Sequence, residues 1–323
     1  MKRLSLLAFT SVLLMLAGCS LAPPYVPEPQ PLEPGRLPAP NAALNIPGLG
    51  PCTDSPDQTL HLNTNYPVTL LVHGCNGSAG RFRSLAQLYA FHGQQAACFS
   101  YDDRDSLVRS SGQLITAVET LAGKIQGNEV TVIGHSMGGL VARKAMERER
   151  SEWQKRQEIP KLKLVTISAP VAGIDAAGPC GSSTLHWLSL GVVPGICWLI
   201  TGDNWFEITS ASDFIQRPAA LHPAVQRYLK VVTDERGTCR RESADGKCLE
   251  SDYIFSLAEQ YHPVIDRYPQ VANVEVAAGH VEIVGNKEIA PRKLLTVLQQ
   301  QGLMALTPPA RLAALERLLA ELY

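Results

Sequence analysis

From about Pro67 onward the chain alternates between short continuous apolar runs and longer stretches with helical spacing. Val68 to His73 (VTLLVH), Ala96 to Tyr101, Glu129 to Gly134 (EVTVIG), Leu162 to Ser168, Tyr228 to Thr233 and Val271 to Ala277 read as strands. Between them, Arg81 to Gly93, Leu107 to Gly127 and Met137 to Arg150 space their apolar residues three and four apart, as at Leu114, Val118, Leu121 and Ile125. Runs rich in β-branched residues and apolar on both faces, separated by amphipathic helices, predict an α/β fold with a mainly parallel sheet flanked by helices. The tail from Thr307 to Tyr323 predicts one more amphipathic helix, capped by Thr307, that docks Leu312, Leu315, Leu319 and Leu322 onto the domain.

The first residues follow another pattern. Lys2 and Arg3 precede an apolar stretch from Leu4 to Leu16, too short to span a bilayer, and Leu16-Ala17-Gly18-Cys19 closes it. This string resembles the lipobox of bacterial lipoproteins. The resemblance implies that residues 1–18 are a signal peptide and that Cys19 is acylated, with Ser20 after it pointing to the outer membrane of the cell envelope. Residues 23–56 hold 11 of the 23 prolines. That density favours extended polyproline II, so 19–56 is expected to be a tether reaching roughly 100 Å at most, with the folded domain at 57–323.

Composition narrows the function classes. The 323 residues are 45% hydrophobic and 18% charged, enough for a full core, and 29 basic against 30 acidic side chains give a net charge of -1. Nucleic acid is therefore not expected as a partner, since phosphate binding calls for a basic excess. No metal-ligand spacing such as C-x-x-C or H-x-x-x-H occurs, and no metal or cofactor is expected. Protein partners are not indicated.

The candidate chemistry lies at the end of the third strand, where Gly134-His135-Ser136-Met137-Gly138 reads G-x-S-x-G. A turn from strand to helix this tight leaves no room for side chains at the glycines and lifts the serine Oγ clear of the sheet. The segment resembles the nucleophile elbow of the α/β-hydrolase superfamily, in its lipase and esterase branch. His73-Gly74-Cys75 likewise resembles the H-G loop of those lipases. The resemblance implies Ser136 as nucleophile and the backbone N–H groups of Cys75 and Met137 as the oxyanion hole.

It also implies the order Ser, acid, His. Of the eight histidines, His186, His222, His262 and His280 follow Ser136. His280, on the loop after the last strand, is the expected base. Asp252 is the expected acid, because Ser251-Asp252-Tyr253-Ile254-Phe255 resembles a lipase pattern, although Tyr253 stands where those lipases have glycine. Asp234, which ends the preceding strand, is the alternative, and Asp266 is another carboxylate in range.

Residues 171–227 form a long insertion between the fourth and fifth of these strands. It holds three of the four tryptophans, Trp187, Trp198 and Trp205, and is expected to be an apolar lid over the nucleophile, or else cover for the sheet. Beyond Cys19, the natural disulfide pairs are Cys239–Cys248 and Cys180–Cys197, with Cys52–Cys98 possible and Cys75 then left over. Cys75 closes one strand and Cys98 opens its neighbour, which places that pair out of reach. Together these readings describe a membrane-tethered serine ester hydrolase acting on acyl or lipid esters. An acyltransferase with the same residues, or a binding module that has kept only the fold, are the alternatives.

Overall fold

The structure, a computed structural model, describes residues 38–126, 129–148, 160–177, 202–204 and 206–323. Its centre is a seven-stranded sheet in the order β11-β8-β7-β6-β4-β5-β2. Here β2 is Leu49–Gly50, β4 Val68–Val72, β5 Gln95–Phe99, β6 Glu129–His135, β7 Lys161–Ile167, β8 Val225–Asp234 and β11 Val271–Ala277. Neighbouring strands pair in parallel except β2, which runs antiparallel to β5 at the edge.

Strand alternation divides the core in two. Leu70, Val72, Val130, Val132, Leu162, Leu164 and Tyr228 face one side, where α2 (Leu107–Ala122) and α3 (Met137–Ala145) cover them. Leu71, Ile133, Val165, Ile167, Leu229 and Val231 face the other, under α1 (Arg83–Phe91), α6 (Arg292–Gln300) and the C-terminal α7 (Leu312–Leu322). Sheets covered on both faces need the continuous apolar runs seen in the sequence. The helix α2 starts where the Ser106 side chain accepts from Arg109 N, and stops at Gly123 rather than running on to Gly127.

The tail helix docks as expected, but through Leu315, Leu318 and Leu319, while Leu312 is 51% exposed. Thr307 does not cap it. Its Oγ1 instead meets His92 Nε2 at 2.9 Å and accepts from Gln299, pinning the tail to the end of α1.

The tether expectation needs a correction at its C-terminal end. Ala42–Leu44 (β1) pairs antiparallel with Leu60–Leu62 (β3), Leu49–Gly50 joins the main sheet, and Ile46, Leu49 and Cys52 are buried. The prolines flank these short edge segments, where a missing N–H costs no ladder bond. Averaging the composition over 19–56 hides the apolar residues between them.

Cys52 is bonded to Cys98, and Cys239 to Cys248. Cys98 lies opposite Leu71 near the carboxyl end of β5, not at the far end from Cys75. It is unavailable to Cys75 because Cys52 already holds it, and Cys75 keeps its thiol exposed. The Cys52–Cys98 link closes a loop with a sequence separation of 46. Replacing both residues by alanine is expected to lower the unfolding free energy by about 2–4 kcal/mol, read as a lower urea midpoint with a steeper slope, because the uncrosslinked chain unfolds to a more open state.

Candidate active site

Functional side chains on a parallel sheet gather at the carboxyl ends of its strands, and five such ends meet here, those of β4, β6, β7, β8 and β11. Ser136 follows β6 with φ 56° and ψ -130°, a positive φ that a non-glycine residue adopts at a cost of order 1–3 kcal/mol. What holds it there is close packing. A Cβ on Gly138 would strike the carbonyl oxygens of Val72 and His73, and one on Gly134 would strike the backbone of Gly138. The Ser136 N–H donates to Ile167 O at 2.9 Å, which ties the turn to β7.

The H-G loop lies against this turn. A Cβ on Gly74 would come within 2.8 Å of Ser136 Cβ. His73 is buried, with its Nδ1 3.0 Å from Gly74 O, and burial holds its pKa below the ordinary histidine value. Its carbonyl accepts from Tyr101 OH at 2.7 Å, and the two rings stack at 4.4 Å. His73 thus shapes the loop. The next residue, Cys75, enters a tight turn, and Met137 is the first residue of α3, so its N–H has no acceptor within the helix.

His280 follows β11 and is 7% exposed. Its Nδ1 lies 3.1 Å from Glu235 Oε1 and 2.8 Å from Ser168 Oγ. The Phe255 ring meets it edge-on at 4.9 Å, and the His135 ring lies 4.7 Å away. His135 Nε2 donates to His280 O at 2.9 Å. Because an ionised carboxylate can only accept, Nδ1 carries the imidazole proton and Nε2 is left basic.

The carboxylate facing His280 is therefore Glu235, not Asp252 or Asp234. Glu235 is 1% exposed and ringed by donors. Ser168 Oγ at 2.6 Å and Thr233 Oγ1 at 2.9 Å donate to Oε1, while Ile254 N at 2.6 Å and Phe255 N at 2.8 Å donate to Oε2. Burial alone would raise its pKa. The hydrogen bond and charge of His280, with those from Ser168 and Phe255, outweigh that and hold it below the ordinary glutamate value.

Asp252 is also buried, but its carboxylate accepts from Val281 N, Glu282 N and Arg240, and its carbonyl takes the His280 N–H at 2.9 Å. It moulds the backbone of the histidine loop and does not reach the ring. Asp234 pairs with Arg236, which pulls its pKa down to about 2. Asp266 is held by the buried Lys230. Glu235 stands one residue past Asp234, at the position after the strand where an acid is expected. A search that weighed glutamate there beside aspartate would have met it.

His222 and His262 are buried elsewhere, each accepting a backbone N–H two residues on. Trp187, Trp198 and Trp205 of the expected lid lie outside the described residues, as do Cys19, His186 and the pair Cys180–Cys197. The described end of the insertion is firmly seated. Ile208, Ile215, Leu221 and Ala224 join the core, and Glu207 accepts from Ser106 Oγ and Leu107 N at the start of α2. Among the described residues, no group of three or more His, Cys, Asp and Glu is placed to hold a metal ion.

Known proteins resemble parts of this chain. The PGAP1-like alpha/beta domain family matches residues 63–177, from just after β3 through the elbow to the start of the insertion. A phospholipase of Bacillus subtilis, YtpA, is 26% identical over 115 residues, which cover 33% of this chain and 41% of that protein. The Bacillus licheniformis lipase BlEst2 in its propeptide form superposes with a TM-score of 0.52 at 15% identity, over 80% of this chain and 53% of that one. Its mature form gives 0.48 at 16% identity, over 78% and 96%. The protein has the α/β-hydrolase fold. Strand order, the elbow after β6 and the histidine loop after β11 all belong to that fold.

His135 gives the fold a pH signature. Burial, and then the neighbouring charge of His280, lower its pKa from 6.5 to about 3. Between those values the unfolded chain binds a proton that the folded state refuses, so stability falls as pH drops through that window, by up to about 1.4 kcal/mol per pH unit. His135→Gln, which keeps a donor for His280 O, is expected to remove one proton's worth of that slope in urea titrations run from pH 7 to pH 4.

Proposed function

We propose that the protein is a serine ester hydrolase acting on acyl esters, lipid esters among them, and held at a membrane by an acylated Cys19. The observation that carries this reading is the strained Ser136 turn beside a buried imidazole whose Nδ1 proton is held by the Glu235 carboxylate. Ser136 Oγ attacks the ester carbonyl while His280 Nε2 takes its proton. Glu235 keeps the ring in the right tautomer and stabilises the imidazolium that forms. The N–H groups of Cys75 and Met137 receive the oxyanion, each worth about 3 kcal/mol of barrier. The imidazolium then protonates the leaving alcohol, and water activated by the same histidine clears the acyl-enzyme.

The substrate class rests on the likeness to a phospholipase and a lipase and on the apolar insertion at 171–227, which would cover an acyl chain. On this reading Trp187, Trp198 and Trp205 would form the apolar lid. The L-A-G-C string supports anchoring, and Ser20 supports the outer membrane of the cell envelope. Full-length protein is expected to partition into the detergent phase, and Cys19→Ser to leave it.

The reading is tested with a fluorophosphonate probe and a p-nitrophenyl ester series on the full-length protein. Ser136→Ala is expected to abolish labelling and turnover. Glu235→Gln is expected to lower kcat by roughly 10³–10⁴, as loss of the orienting carboxylate does in other triads. Asp252→Asn acts mainly on the stability of the 279–282 turn. Failure of the folded wild type to label would overturn the hydrolase reading, and loss of kcat in Asp252→Asn but not in Glu235→Gln would return the acid to Asp252.

A further inference from the structure

The nearest group to the His280 Nδ1 proton is not the carboxylate. Ser168 Oγ is 2.8 Å from Nδ1, against 3.1 Å for Glu235 Oε1, and the same Oγ lies 2.6 Å from that Oε1. A hydroxyl has one proton and two acceptor positions. With its proton given to an ionised Glu235, Ser168 can only accept from the imidazole.

We propose that Ser168 is a positioning residue for His280, its hydroxyl standing between the acid and the base and linking Glu235 to Nδ1 by donating to one and accepting from the other. This deepens the hydrolase reading and rests on it for its effect on rate. Its structural part, control of the imidazole tautomer, stands without it.

Three further features single out this serine. Ser168 is fully buried and follows β7 with φ 45°, in the left-handed region that glycine or asparagine occupies more cheaply. A strained backbone that keeps a serine points to a use for its hydroxyl. The backbone is pinned as well, its N–H donating to Val231 O at 2.9 Å, so the side chain leaves from a fixed point on the sheet. The carboxylate does not need Ser168 to be satisfied, because Thr233 Oγ1 and the N–H groups of Ile254 and Phe255 already donate to it. For the imidazole it is the shorter of the two acceptors at Nδ1 among the described residues, the other being Glu235. A chain of aligned hydrogen bonds in a dry site strengthens each member.

The test uses Ser168→Ala and Ser168→Gly in the full-length protein. Glycine relieves the positive φ, so it keeps the fold if alanine does not, and both remove the hydroxyl. Either variant is expected to lose roughly 10- to 100-fold in kcat, the range for a hydrogen bond to a charged group, with KM within about twofold. The acid limb of the kcat/KM profile should move to lower pH, because the imidazolium loses an acceptor. In ¹⁵N spectra, His280 should shift from a single Nδ1–H tautomer in the wild type to a mixture in both variants. Unchanged tautomer and an unmoved acid limb in the folded variants would overturn the role of Ser168 while leaving the hydrolase reading intact. A wild type that shows the Nδ1–H tautomer yet never labels with the probe would overturn the hydrolase reading alone.

Discussion

A carboxylate taken out of water has to be surrounded by donors, and the donors around Glu235 come from segments well separated in the chain. Ser168 arrives after β7, Thr233 is part of β8, Ile254 and Phe255 sit on the loop beyond the disulfide-closed hairpin of Cys239–Glu242 and Cys248–Ser251, and His280 follows β11. Satisfying one buried charge thus fixes three loops and one strand relative to each other. Phe255 serves twice, capping the carboxylate through its N–H and resting its ring on the imidazole. The elbow joins the same assembly through the Ser136 N–H on Ile167 O, one residue before Ser168.

How much of this could be read from the chain differs from residue to residue. The sheet was legible because its strands are buried on both faces and need no alternation to be seen. The turn at Ser136 was legible because the glycines around it are required by contact with backbone atoms rather than by local preference. The partner of His280 was not. Asp252 and Glu235 are both buried acids that touch the histidine loop, one through its backbone and one through its ring. A sequence pattern names an acid near the right loop; it does not say which way the carboxylate turns. Asp252 turns toward the amides of Val281 and Glu282 because Gly279 packs directly against it.

The boundary of the folded domain was illegible for a different reason. Proline density is a property of a window, whereas Ile46 and Leu49 are buried one by one. Edge strands of two or three residues carry too little periodicity to stand out against such a background. Here the long-range constraint, the bond from Cys52 to Cys98, identifies the segment as part of the domain more clearly than its own sequence does.

That bond also sets the path a mechanical load would take. Tension entering from the N-terminal side meets the β1–β3 pair first, three residues a side, and then the two-residue β2. Both could peel away strand by strand. The pull would then stop at a covalent link to β5, which sits inside the sheet with a parallel neighbour across it. The elbow lies two strands further in, after β6, and the histidine loop follows β11 at the opposite edge of the sheet. The N-terminal segment can therefore act as a sacrificial buckle, giving length under strain while the reaction site keeps its shape.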